Sequence, residues 1–289
     1  MTTTRLLIVH ARSPLHAGTG QATAAVDLPI ARDRATGLPL LPGSSLKGAL
    51  RARSRQLLNG ETIKLFGPET DNASVHSGAI CFTDARLLLL PVRSVAGTFA
   101  WITSPLLLAQ LAREAALAGY TDLPPLPAPG KQSAMTVEGS LLHVGETVIL
   151  EEFDLGRQPG AEKWAKVLAP MVFADPTWQD LLQKRLCIVS DDVMSFLALH
   201  ATEIVTRVSI NPETGTALGG QLWTEENLPA ESVLLGLVEE QAPERHRPGA
   251  AGEYLDRITK ELLSQPIQLG GKATVGRGRC TLRLIHGGH

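Results

Sequence analysis

Three cysteines in 289 residues, Cys81, Cys187 and Cys280, are too few and too scattered for a disulfide framework. No CxxC and no paired His/Cys spacing occurs, which argues against a structural zinc site. No apolar stretch reaches the roughly 18–20 residues that cross a bilayer. Met1-Thr2-Thr3-Thr4-Arg5 leads into only a short apolar run, unlike a secretory leader. A P-loop needs GxxxxGK followed by Ser or Thr, whereas Lys47 precedes Gly48 and neither Gly-Lys pair is followed by a hydroxyl residue. A Rossmann fingerprint needs GxGxxG between a first strand and a helix, and Gly276-Arg277-Gly278 lies in neither setting. There is no internal repeat and no low-complexity linker. These absences lead us to expect a cytoplasmic protein, one elaborated domain over residues 1–289, no membrane and no nucleotide cofactor.

What is present is a charge distribution that the net value of −2 conceals. Residues 1–55 hold eight Lys or Arg against Asp27 and Asp33, a net of +6. From Gly270 onward Lys272, Arg277, Arg279 and Arg283 face no acid, a net of +4, which leaves −12 for the middle. Such asymmetry marks a basic surface on an acidic body. Each basic end also carries a motif. Residues 44–51 read Ser-Ser-Leu-Lys-Gly-Ala-Leu-Arg, and residues 269–279 read Leu-Gly-Gly-Lys-Ala-Thr-Val-Gly-Arg-Gly-Arg. Both join open backbone N–H groups to Lys and Arg, the chemistry that holds phosphates. A charged solvated face and a plain hairpin loop would look similar.

The apolar fraction of 44% supports a substantial core. Patterning predicts strands over 5–14, 78–90, 143–153 and 233–238, and helices over 43–58, 106–118, 161–173, 190–201 and 252–264. In the first helix Ser44 is the expected N-cap, Leu46, Ala49, Leu50 and Leu57 the buried stripe, and Lys47, Arg51 and Arg55 a cationic ridge. The proline-bearing stretch 123–130 is expected to be irregular and 71–77 an exposed loop. Residues 203–210 and 219–223 flank a turn-rich tip, Asn211-Pro212-Glu213-Thr214-Gly215-Thr216, and predict a long hairpin. Helices between antiparallel strands indicate an α+β fold of ferredoxin-like type with insertions.

Several segments together resemble the RAMP superfamily of CRISPR proteins. They are Gly18-Thr19-Gly20, residues 26–30 (Val-Asp-Leu-Pro-Ile), residues 37–51, Leu65-Phe66-Gly67 and the terminal glycine loop. Ser190-Asp191-Asp192, residues 206–217 and residues 223–229 (Trp-Thr-Glu-Glu-Asn-Leu-Pro) narrow the resemblance to the repeated backbone subunits of type III-B (Cmr) effector complexes. The resemblance spans the chain in order. It implies a modified ferredoxin-like, RRM-like fold with 203–225 as a thumb-like hairpin; the proline-bearing stretch 87–131 departs from the family's functional elements and is expected to be an insertion. It also implies copies of the subunit laid in a helical filament along a CRISPR guide RNA, with single-stranded target RNA and other effector subunits as partners.

On that resemblance, Ser44, Ser45, Lys47, Arg51, Gly270, Gly271, Lys272 and Arg277 line the guide backbone, where contacts position RNA without reading sequence. Arg207, Asn211, Pro212, Thr214 and Trp223 belong to the thumb, with Trp223 either stacking on a base or anchoring the hairpin. Asp27 stands where the family places its catalytic aspartate, although Asp before Leu-Pro is by itself a common turn former. The implied activity is a metal-dependent endoribonuclease that cleaves guide-complementary RNA by attack of the 2′-hydroxyl. A free Asp titrates near about 4 and is a weak base, so Asp27 is expected to hold Mg²⁺ or another divalent cation together with RNA oxygens. The alternatives are a scaffold subunit without chemistry and a RAMP nuclease that processes guide RNA. Asp33, between Arg32 and Arg34, reads as a solvated turn, and His16 as part of a strand-to-loop transition. Asp191, Asp192, Glu225 and Glu226 match family positions without a derivable role.

Overall fold

The computed structural model of the protein describes residues 2–19, 26–58, 60–68, 77–241 and 251–287. From the N-terminus, β1 (Thr3–Ala11) leads to β2 (Leu40–Leu41), helix α1 (Gly43–Leu57) and the short α2 (Thr62–Phe66). Strands β3 (Ile80–Phe82), β4 (Ala85–Arg93) and β5 (Phe99–Thr103) precede α3 (Pro105–Leu117). Next come β6 (Ser133–Thr136), β7 (His143–Val144), β8 (Thr147–Leu150) and β9 (Phe153–Pro159). Helices α4 (Glu162–Val172) and α5 (Pro176–Arg185), strand β10 (Leu186–Ile188) and helix α6 (Asp191–His200) follow. The remainder holds β11 (Glu203–Ile210), β12 (Ala217–Asn227), β13 (Val233–Glu240) and α7 (Glu253–Arg257), which continues as a π-helical turn over Ile258–Leu262. Strands β14 (Ile267–Gln268) and β15 (Arg279–Ile285) end the fold.

The main sheet runs β14-β15-β1-β13-β4-β5-β10-β6-β9-β8-β7, with β2 beside β4 and β3 beside β13. β1 shows why it forms. Leu6, Leu7, Ile8 and Val9 are all fully buried, and successive side chains of a strand face opposite ways. Leu7 and Val9 therefore enter one core and Leu6 and Ile8 the other. Helices α1 and α7 close the first core through Leu46, Leu50 and Leu255. Helices α3 and α4 close the second through Leu108, Leu111, Trp164 and Leu168. The architecture is the expected α+β one, with β11 and β12 forming a separate two-stranded ribbon.

Several local expectations change. Ser44 is not the cap of α1: the helix starts at Gly43, and the Asp84 carboxylate, in the turn between β3 and β4, accepts the Gly43 N–H at 2.8 Å. Leu57 is exposed and Ser54 takes the buried place on the stripe, its hydroxyl bonded to the Arg51 carbonyl and to Thr62. The single strand expected over 143–153 is the β7–β8 hairpin, because Gly145 at φ +59° turns the chain. Residues 87–131 supply most of β4, all of β5 and α3, which places two sheet strands inside the stretch expected to be an insertion. The loop expected over 71–77 lies, apart from Ser77, outside the described residues, as does Gly20. No helix among the described residues is long and apolar enough to cross a membrane.

Candidate nucleic-acid interface

The two basic ends meet because β15 pairs with β1. The glycine loop between β14 and β15 is stitched onto the chain that leaves β1. Gly271 donates to the His16 carbonyl at 2.9 Å, Gly278 to the Pro14 carbonyl at 2.8 Å, and Arg279 N–H to the Ser13 hydroxyl at 3.0 Å. Gly270 sits at φ +69°, and a Cβ there would collide with the His16 carbonyl oxygen. That close approach admits only glycine. A cleft of about 370 Å³ opens between Gly270, Gly271, Gln268 and Gly18 on one side and Ser45 and Ala49 of α1 on the other. Ser44, Lys47 and Arg51 instead line a second cleft of about 510 Å³ on the far flank of α1, facing Phe66, Gly67, Pro68 and Phe82. Arg51 is steered there by donating from Nη2 to the Pro68 carbonyl at 2.7 Å. The structure thus parts Ser45, Gly270 and Gly271 from Ser44, Lys47 and Arg51 on two flanks of one helix, and Lys272 and Arg277 line neither cleft.

The β11–β12 ribbon is the expected thumb. Its tip is set by local bonds: the Asn211 side chain accepts the Glu213 N–H at 2.9 Å, Asn211 N–H donates to the Thr216 carbonyl, and the Thr214 and Thr216 hydroxyls meet at 2.8 Å. Pro212 lies within this turn. Val208 and Leu222 pair across the ribbon and both are exposed, as are Ile204 and Ile210.

The ribbon's base is polar and buried. Glu225, only 1% exposed, lies 3.6 Å from Arg207 Nε and 3.4 Å from Arg277 Nε. Arg277, 15% exposed, is therefore turned inward onto a carboxylate instead of standing open to solvent, and Arg207 is shared with the same acid. Burial pushes the nearby Glu203 carboxyl above its ordinary range, partly offset by Arg277. Glu226 accepts from Arg32 Nη2 at 2.5 Å, from the Ile30 N–H at 3.0 Å and from the Thr202 hydroxyl at 3.0 Å. Arg32 also donates to the Gly37 and Ala198 carbonyls, so it ties the 26–37 segment to α6 and β12. Asp33 makes the expected turn, its Oδ1 accepting from the N–H groups of Thr36 and Ala35, which holds its carboxyl below the usual range.

Asp27 sits on this base. Its Oδ2 accepts the Thr224 N–H at 2.7 Å and the Thr224 hydroxyl at 2.8 Å, while Asp27 N–H donates to that hydroxyl at 3.1 Å. The Thr224 amide first, then its hydroxyl, hold the exposed Asp27 carboxyl below the ordinary value. At neutral pH it is an anion and a poor proton acceptor. Among the described residues there is no group of three acidic, His or Cys side chains able to cage a metal ion. A lone exposed carboxylate with no described partner on Oδ1 fits a hydrated divalent cation that takes its other ligands from RNA. His16 donates from Nδ1 to the Glu226 carbonyl at 2.7 Å, since a carbonyl can only accept. It is buried beneath the glycine loop, in keeping with a strand-to-loop residue. Trp223 is half-buried, with the Lys272 ammonium 5.9 Å from its ring centroid, which joins the thumb base to the glycine loop.

Sequence reasoning assigned no role to Thr224, Glu225 or Glu226. Two adjacent acids within the family-like segment 223–229 are the available signal, and the partners Asp27 and Arg32 lie nearly two hundred residues away.

The chain is similar to known proteins over nearly its whole length. The sequence pattern of the RAMP superfamily matches residues 9–281. The chain is 33% identical over 292 aligned residues to a protein of Pyrococcus furiosus described as CRISPR system Cmr endoribonuclease Cmr4, covering 97% of this chain and 96% of that one. A crystal structure of oligomeric Cmr4 from Pyrococcus furiosus superposes with a TM-score of 0.74 at 28% identity, covering 97% of this chain and 98% of the other. A cryo-EM structure of type III-B Cmr-beta bound to cognate target RNA gives a TM-score of 0.74 at 18% identity over 97% of this chain and 96% of that one, a likeness of fold.

Proposed function

The chain belongs to the RAMP superfamily, and from that premise we propose that it is a guide-RNA-binding backbone subunit of a type III-B effector complex that also cleaves the target RNA. Copies of the subunit repeat along the guide in the cytoplasm, other effector subunits complete the particle, and each thumb wedges into the guide–target duplex. The observation that carries the cleavage reading is an exposed, ionised Asp27 anchored on the base of the thumb; on this reading, RNA held along α1 and the glycine loop runs past it. The likeness to a Cmr endoribonuclease over nearly the whole of both chains supports it.

In the reaction, the 2′-oxygen of the target forms a bond to the adjacent phosphorus as the P–O5′ bond breaks. The 2′-hydroxyl proton is released and the departing 5′-oxygen takes up a proton, leaving a cyclic phosphate and a 5′-hydroxyl. Asp27 is the residue that would hold a divalent cation, which when bound supplies charge stabilisation at the phosphate. Lys47, Lys272 and the Gly270 N–H position the strands through phosphates, while the Gly271 N–H, given to the His16 carbonyl, holds the loop in place.

The test is Asp27→Ala in a reconstituted complex with guide RNA, labelled complementary RNA and Mg²⁺. Regularly spaced products that disappear in the variant, with target binding kept, are expected. Equal cleavage in both proteins, or none in either, would mean a scaffold subunit with any nuclease in a partner.

A further inference from the structure

The 26–30 segment is tied to the thumb at Leu28, which forms an isolated parallel bridge to Glu225 of β12. Leu28 N–H donates to the Thr224 carbonyl at 3.1 Å, and Glu226 N–H donates to the Leu28 carbonyl at 3.0 Å. Within this frame Thr224 meets Asp27 three times, through its N–H and twice through its hydroxyl. The hydroxyl has one proton, given to Asp27 Oδ2, and its lone pair receives the Asp27 N–H, so the ring closes without an unmatched donor. Both Thr224 bonds fall on the same carboxylate oxygen. Among the described residues nothing bonds Oδ1.

We propose that Thr224 is a positioning residue for RNA cleavage: it locks the Asp27 carboxylate to the thumb strand with Oδ2 occupied and Oδ1 presented, so that thumb and carboxylate act as one rigid unit. This rests on the reading of Asp27 given above. Its consequence is mechanical. The wedge that opens the duplex and the carboxylate that serves the scissile phosphate share β12, so the cut is registered to the thumb of the same copy. A carboxylate on a side chain without this lock samples several rotamers, and misplacement by about an ångström is enough to slow a positioned reaction by orders of magnitude.

Three variants in the reconstituted complex test the proposal, with single-turnover cleavage, target affinity and product spacing as readouts. Thr224→Val keeps the branched shape and removes the hydroxyl. Thr224→Ser keeps the hydroxyl and removes the methyl. Asp27→Ala reports on the underlying reading. We expect valine to slow cleavage about tenfold or more, with affinity and spacing unchanged, and serine to restore the rate to within about threefold. Thr224→Ala stands in should the valine variant fail to assemble. A valine variant as fast as wild type, beside an inactive Asp27→Ala, overturns the positioning role and leaves the function intact. Loss of affinity or shifted products that serine does not restore also overturns it, because that is the mark of a misplaced thumb. A fully active Asp27→Ala overturns both readings.

Discussion

Replacing Glu225 by glutamine should destabilise the protein through the cations it leaves behind. The carboxylate is fully buried and faces Arg207 and Arg277, so the variant strands guanidinium charge in a poorly solvated place. Removing one partner of a buried ion pair costs about 3–5 kcal/mol. Here the contacts are 3.4 and 3.6 Å, longer than charge-assisted hydrogen bonds, and Arg207 is 30% exposed, so water compensates in part. The Asn227 amide also donates to Glu225, at 3.3 Å, and glutamine can keep that bond. A loss of about 2–3 kcal/mol is the balance, or roughly 3–5 °C in Tm for a domain of this size. Calorimetry of the purified subunit reads it directly. The double variant with Arg277→Gln should recover about 1–2 kcal/mol, since the stranded charge is gone. An unchanged Tm in Glu225→Gln refutes the argument. So does an Arg277→Gln variant that keeps its Tm and instead loses guide affinity and salt dependence, for then the guanidinium faces RNA.

Lys47→Ala and Lys272→Ala should each keep the Tm and lower the slope of log affinity against log salt by about 0.7 for each phosphate no longer neutralised, read by anisotropy with labelled guide between about 50 and 200 mM salt. Of the three thiols, Cys187 and Cys280 are buried and pushed up to about 12, whereas Cys81 is exposed; a native thiol titration should count one fast group and three after unfolding. Because the Glu203 carboxyl is raised by burial, the stability it contributes is full at acid pH and lost as pH rises through its folded value. Glu203→Gln should accordingly raise the Tm more at about pH 7 than at about pH 4.

Elements whose stabilisation is local were legible. The branched residues within 5–14 announced a strand, though only the structure shows it covered on both faces, and the helix expected over 190–201 is α6, where the Ser190 hydroxyl accepts the Val193 N–H. α5 carries a comparable signal, Asp175 accepting the Thr177 N–H at 2.7 Å with Pro176 in the first turn, but it has a single buried residue, Leu182, and so lacks apolar periodicity. β6 and β9 pair in parallel across intervening strands, and nothing in either short segment names its partner. The site divides the same way. The start of α1 and the glycine loop are local features, and their positions could be read from the sequence. The Asp27–Thr224 lock and the burial of Glu225 depend on segments nearly two hundred residues apart.

That division changes what the charge asymmetry means. The formal count gives the two ends twelve cations, yet the fold engages many of them internally. Arg5 pairs with Asp256, Arg32 with Glu226 and Arg277 with Glu225, while Arg51, Arg53 and Arg283 donate to main-chain carbonyls. Lys47 and Lys272 make no ion pair among the described residues. On the proposed function, the grip on RNA depends on the few outward cations and on backbone N–H groups left open in the glycine loop, and neutral N–H donors release no counterions of their own. The salt slope per subunit should thus follow the handful of outward cations and fall well below the formal twelve. A slope near the formal count would mean that the internal arginines let go of their partners when RNA binds.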